Sequence, residues 1–261
     1  MRQRVAIVLS VCLALGAACS SAEKERAKTE EPTQQTEKKA KKAKEKRAKE
    51  AQTKVGEVMT KAVQASLTPD DALEKLEEGN ERFVEGERIE RDYPAQVKAT
   101  AAGQYPFAAV LGCIDSRVPA ETVFDQGVGD IFTARVAGNF VNTDMLGSLE
   151  FATKVAGAKL IVVMGHTDCG AVEGACDDVE LGNVSALVSE LRPSVEAVTP
   201  EGETCSSDND VLVNDIAEHN VQRTIDEIRQ KSDIISQLEK EGTIRIVGAM
   251  YDVATGEVTF I

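Results

Sequence analysis

Two short stretches carry side chains able to hold a metal ion and do chemistry beside it. In "VLGCIDSRVP", Cys113, Asp115 and Arg117 fall on alternate positions, and in "LIVVMGHTDCG" His166 and Cys169 follow a second apolar run about 50 residues later. Two thiolates and an imidazole suit zinc (Zn2+), a borderline-soft ion that takes sulfur and nitrogen donors in tetrahedral geometry. No fourth Cys or His lies in either stretch, and three protein ligands with one open position is the pattern of catalytic zinc. A structural zinc site, or a cysteine pair that simply oxidises, uses the same three residues. Asp115 and Arg117 favour the catalytic reading. A carboxylate so near a thiolate is repelled unless a cation compensates, and Arg117 offers one with two-pronged geometry. The other histidine, His219, falls in a helix-forming stretch far along the chain and reads as a surface position rather than a proton shuttle.

Both stretches sit directly behind apolar runs that lack polar alternation, as strands buried on both faces do. Residues 107–112 and 159–165 are two such strands and 130–136 a third, with "PAETVFDQ" as a short helix after the first. Thr68-Pro69-Asp70-Asp71 opens a helix with a capping hydroxyl, Pro at the first position and acids at the positive dipole end. "TDMLGSLEFATKV" (143–155) reads as one helix capped by Thr143, further helices are expected around 183–191 and over much of 209–240, and "TIRIVGAMYD" and "EVTFI" close the chain as strands around a Thr-Gly turn. Strands alternating with helices predict an α/β domain with a central, largely parallel β-sheet flanked by helices. In such sheets reactive groups gather beyond the carboxyl ends of the strands. Adjacent parallel strands there bring Cys113, His166 and Cys169 together.

The chain begins with "MRQRVAIVLSVCLALGAAC": two arginines, a short apolar run, then small residues leading to Cys19. The run is too short and wrongly flanked for a membrane span and reads as a secretory signal, residues 1–18. The small-small-Cys ending resembles the lipobox of bacterial lipoproteins, in which Cys19 is lipidated and becomes the mature N-terminus; ordinary cleavage near the same point is the alternative. Export then leads to the cell envelope and periplasm, with Ser20 after the cysteine resembling the outer-membrane sorting pattern where the host has two membranes. Residues 19–65 read as a Lys/Glu/Ala-rich tether with nothing to build a core from, which leaves 66–261 as the folded domain. Of the 30 basic and 44 acidic residues, two arginines precede Cys19, and residues 23–54 hold 12 basic and 7 acidic side chains. Residues 55–261 therefore carry 16 basic and 37 acidic groups, net −21. That balance argues against nucleic acid as a partner, since binding it needs a basic face.

The paired motifs "C-I-D-S-R" and "H-T-D-C-G" at this separation resemble β-class carbonic anhydrase. The likeness continues through "GDIFTARVAGNFV", "VNTDMLGSLEFA" and the closing "GAMYDVATGEV", and so spans roughly residues 66–261. It implies zinc on Cys113, His166 and Cys169, with water or hydroxide in the fourth place. Asp115, held by Arg117, then accepts a hydrogen bond from that water and aims the hydroxide at carbon dioxide, giving bicarbonate and a proton. The family is built of dimers, or multiples of dimers, with active sites at the subunit interface. Gln104 matches the substrate-binding glutamine of the plant-like subtype and Phe132 an aromatic of the apolar pocket. Ala137 stands where valine is usual, and Phe151 where that subtype has tyrosine. Val110 replaces the tryptophan that the other, bacterial subtype associates with a noncatalytic bicarbonate site, which counts against bicarbonate-locked behaviour. Zinc lowers the pKa of bound water from ~15.7 towards ~7, figures known from carbonic anhydrases with three histidine ligands; two thiolates make a weaker Lewis acid and a somewhat higher value. The alternatives are hydrolysis of carbonyl sulfide or carbon disulfide on the same scaffold, or an inactive zinc-binding lipoprotein.

Cys176 and Cys205 lie outside the zinc pattern. In an oxidising compartment they are expected either to form a disulfide closing a loop of about 30 residues or to remain two reduced thiols.

Overall fold

The computed structural model describes residues 57–261. The signal at 1–18, Cys19 and most of the tether lie outside the described residues, among which no helix is long and apolar enough to cross a membrane. The packed part starts before residue 66. Helix α1 (Lys61–Ser66) is capped by Thr60, and its buried Gln64 donates to the carbonyls of Pro106 and Ala156 at 2.7 and 2.8 Å. The tether composition hid this turn, because one buried glutamine with two backbone partners leaves no apolar periodicity.

Helix α2 (Pro69–Val84) opens as its sequence requires: Thr68 Oγ1 accepts from Asp71 N, and the Asp71 carboxylate accepts in return from Thr68 N. After α3 (Tyr93–Thr100) the chain enters β1 (Ala108–Gly112), turns through α4 (Ala120–Val123) and forms β2 (Ile131–Arg135). Helix α5 (Thr143–Glu150) is capped by Asn142, whose side chain accepts from Met145 N at 2.9 Å, rather than by Thr143. It runs into a single π-helical turn, Phe151–Val155, before β3 (Leu160–His166). Three short helices follow, α6 (Gly170–Cys176), α7 (Asn183–Ser189) and α8 (Arg192–Val198), then α9 (Asp210–Lys231), α10 (Asp233–Lys240), β4 (Arg245–Tyr251) and β5 (Val258–Phe260). The long helix expected over 209–240 is two helices. Ser232 adopts an extended backbone, its hydroxyl caps α10 by accepting from Ile235 N, and it donates to Glu150 at 2.6 Å.

The sheet order is β2-β1-β3-β4-β5, parallel except for the antiparallel β5. Every residue of β1 and β3 is buried. One face presents Val110, Val162 and Val247 to Leu76 and Phe124, and the other presents Leu111, Ile161 and Val163 to Val221, Ile225 and Ile235. Covering both faces removes the need for polar alternation, which is why these strands read as continuous apolar runs. Gly165 lets α9 lie close on β3, since a Cβ there would stand 2.8 Å from both Met250 Sδ and Val221 Cγ2. The third apolar cluster, around Val172, Leu191, Leu212, Val213 and Ile216, sits past the strand ends and includes Cys113 and Cys169.

Candidate metal centre

The register brings the ligand candidates together. Gly112, the last residue of β1, pairs with Met164 of β3, so Cys113 emerges one residue short of His166 on a strand about 4.8 Å away. The donor atoms of Cys113, His166 and Cys169 all lie within 4.8 Å of one another, and all three residues are buried. His166 Nδ1 lies 2.8 Å from the Thr167 carbonyl; a carbonyl only accepts, so Nδ1 carries the proton and Nε2 presents its lone pair. That Nε2 is buried and has no hydrogen-bond partner. A metal ion in the cluster gives it one. Two sulfurs and one such nitrogen fit zinc.

Charge on the cluster is strongly biased. Hydrogen bonding from the Cys169 side chain pulls the Cys113 thiol down to about 4, against burial, helped by His166 and by the backbone N–H groups of Gly138 and Asp115. The same contact, followed by burial, pushes Cys169 up. Burial is the largest influence on His166 and lowers it, but Cys113, Thr167 and Asp115 together leave it raised. Gly138 N donates to Cys113 Sγ at 3.4 Å. That approach needs glycine: φ is +80° and a Cβ would stand 2.8 Å from Leu191 Cδ1.

Beside the cluster, Arg117 grips Asp115 as a fork. Nε donates to Oδ1 at 3.0 Å, an NH2 group to Oδ2 at 2.8 Å, and the Arg117 backbone N–H to Oδ1 at 2.9 Å. The guanidinium contact is the main reason that the Asp115 carboxyl sits at about 2. Oδ2 faces the cluster, 4.0 Å from His166 Nε2. Two residues not singled out from sequence hold this arrangement. Arg135, at the end of β2, donates to the carbonyls of Cys113 and Asp115 at 2.7 and 2.5 Å; an arginine closing a strand was its signal. Asp168 sits in the left-handed region (φ 52°) between His166 and Cys169, and its carbonyl accepts from Arg117 at 3.0 Å.

The residues expected on the substrate side are not gathered with these. Ala137 adjoins Gly138 and so lies near the cluster, but Phe132 pairs with Ala109, four residues or about 13 Å along β1 from Cys113. Phe132 and Phe151 meet edge to face, centroids 6.1 Å apart, and line a groove of about 670 Å³ between β2 and α5. Gln104 is exposed and precedes β1, at the opposite end of the sheet. The pocket drawn around Phe132, Ala137 and Phe151 is therefore not assembled within one chain. Val110 is fully buried inside β1, and His219 lies partly buried on α9.

A family model described as carbonic anhydrase matches residues 108–258, a span that opens at β1 and contains every ligand candidate. The chain belongs to the carbonic anhydrase family. Carbonic anhydrase 2 of Mycobacterium tuberculosis is 38% identical over 189 residues, covering 72% of this chain and 90% of that protein. A carbonic anhydrase of Mycolicibacterium smegmatis is 37% identical over 191 residues, covering 73% and 92%. Among solved structures, the β-carbonic anhydrase CafA of Aspergillus fumigatus superposes with a TM-score of 0.59 at 28% identity, covering 74% of this chain and 89% of that one. A tetrameric β-carbonic anhydrase of Sordaria macrospora gives 0.56 at 26% identity, covering 64% and 86%. The chain is thus an enzyme of the β class, a carbonic anhydrase with a mostly parallel five-stranded sheet.

Proposed function

We propose that the enzyme hydrates carbon dioxide reversibly to bicarbonate and a proton, with zinc held by Cys113, His166 and Cys169. The observation that carries this reading is the unpartnered, buried His166 Nε2 among two sulfurs, with an ionised carboxylate alongside. Bound zinc supplies a hydroxide nucleophile near neutral pH. The chain's own residues supply its direction. Asp115 is ionised through the physiological range, so Oδ2 is purely an acceptor, and it takes the hydrogen bond of the attacking water while Arg117 keeps the carboxylate from turning away. Arg135 fixes the loop from Cys113 to Asp115 by its carbonyls. Stopped-flow hydration of carbon dioxide by the purified chain tests the assignment: acceleration over buffer is expected, and none would remove it.

The substrate pocket belongs, on this reading, to a pair of chains. Gln104, Phe132 and Phe151 lie too far from the cluster of their own chain to touch a substrate there. A second copy docked on the exposed edge of β2 and the adjoining groove would receive them at its own site. The plant-like character rests on Gln104 and Phe132 as matched in sequence. Export and lipid anchoring through Cys19 rest on the sequence pattern alone; Cys19→Ala is expected to move the protein from the membrane fraction to the soluble one.

A further inference from the structure

Helix α6 joins two different chemistries. Its N-cap is Cys169, a ligand of the cluster, and its last residue is Cys176, which the structure joins to Cys205 in a disulfide. Seven residues make a helix about 10 Å long, too short to be stable by itself in water. Its position, and with it that of Cys169 Sγ, is set by what grips its ends. Both ends are gripped by one stretch, 205–214. At the ligand end, Asp168 N donates to Asn214 Oδ1 at 3.0 Å. At the far end stands the disulfide, and beside it Ser207 N donates to Asp177 Oδ1 at 3.0 Å. Leu212 and Val213 of this stretch, with Ile216 and Ala217 just beyond it, belong to the apolar cluster that contains Cys113, Cys169, Cys176 and Cys205. Further along, the same helix α9 is pressed against β3 at Gly165, one residue before His166. A rigid path therefore runs from the strand that carries one ligand to the helix that carries another.

We propose that residues 205–214 are a brace for the metal centre, with Cys176, Cys205 and Asn214 as positioning residues. Asn214 fixes the Asp168 turn, whose carbonyl also holds Arg117, so the brace sets the Asp115–Arg117 pair as well as Cys169. Loss of it lets Cys169 drift from Cys113 and His166 and opens the site to competing chelators. The inference rests on the zinc reading above.

The test is the rate at which the zinc-loaded chain yields its metal to a chromogenic chelator. Cys176→Ala/Cys205→Ala is expected to release zinc about tenfold faster or more, the range found when groups supporting metal ligands are lost. Its cobalt-substituted form is expected to show shifted thiolate-to-metal absorption. Asn214→Ala, which keeps the disulfide, is expected to change both in the same direction, and it decides the matter should the double variant not fold. Leu76→Ala, in the core on the other face of the sheet, is the control for stability alone and is expected to leave release and spectrum as in the wild type. Wild-type release from Asn214→Ala and the double variant overturns the brace, as does equal acceleration by Leu76→Ala. A wild-type chain that binds no metal overturns the zinc reading itself, and the brace with it.

Discussion

In the proposed reaction Asp115 sets the direction of attack, and its chemistry follows from Arg117. The two-pronged contact, 2.8–3.0 Å at both oxygens, holds the carboxyl at about 2. Asp115→Asn keeps the size but loses the charge and the acceptor at one position. Expected is retained zinc with kcat for hydration reduced about 100-fold, the scale of a positioned acid–base group; zinc retained with an unchanged rate would refute the orienting role. Stability follows by linkage. The folded pKa lies below the ordinary ~3.9 of aspartate, so the pair's stabilisation is complete above about pH 4 and is lost as pH falls towards 2. The stability difference between wild type and Asp115→Asn, followed by denaturant unfolding, is therefore expected to shrink over that interval.

At the scale of elements, the site is made by strands that end in step. The apolar runs announced β1 and β3 because both are covered on two faces, and placing Cys113 and His166 just past them gave the cluster its position. Less of the supporting structure was legible. Helix α6 is about two turns between two loops, so the spacing of Val172, Ala175 and Cys176 is too brief to stand out as a period, and α1 is marked only by a buried glutamine. The split at Ser232 was hidden because apolar spacing continues across it, while a single hydroxyl cap interrupts the backbone. Close approach of α9 to β3 depends on Gly165, a residue that in sequence is one more small position in a strand. Gly165→Ala is expected to cost about 1–3 kcal/mol, measured by denaturant midpoint, because its Cβ meets Val221 and Met250 at 2.8 Å. A neutral substitution there would show that α9 shifts freely, and the account of how His166 is seated would fail.

Across the described residues, an acidic enzyme domain holds its candidate metal ligands at one end of the sheet and its aromatic groove along one edge. Phe151 is 48% exposed and Val155 71%, and Phe132 shares the groove with Phe151, a surface that a second copy would cover. Phe151→Asp is expected to turn the proposed dimers into monomers in sedimentation velocity and to lower hydration at least tenfold while zinc stays bound; an active monomer would show that one chain suffices. Residues matched to a substrate side could be named singly from sequence, yet their separation from the cluster could not, since only strand register reveals that Phe132 and Cys113 are offset by about 13 Å along the strand direction. The central claim is that Cys113, His166 and Cys169 hold the ion on which hydration depends. Titrating zinc into chelator-stripped protein while recording carbon dioxide hydration tests it most directly. Activity is expected to rise in proportion and level off at one zinc per chain, with Cys169→Ser and His166→Ala gaining neither metal nor rate. Full activity in the stripped protein, or in either variant, would contradict the account.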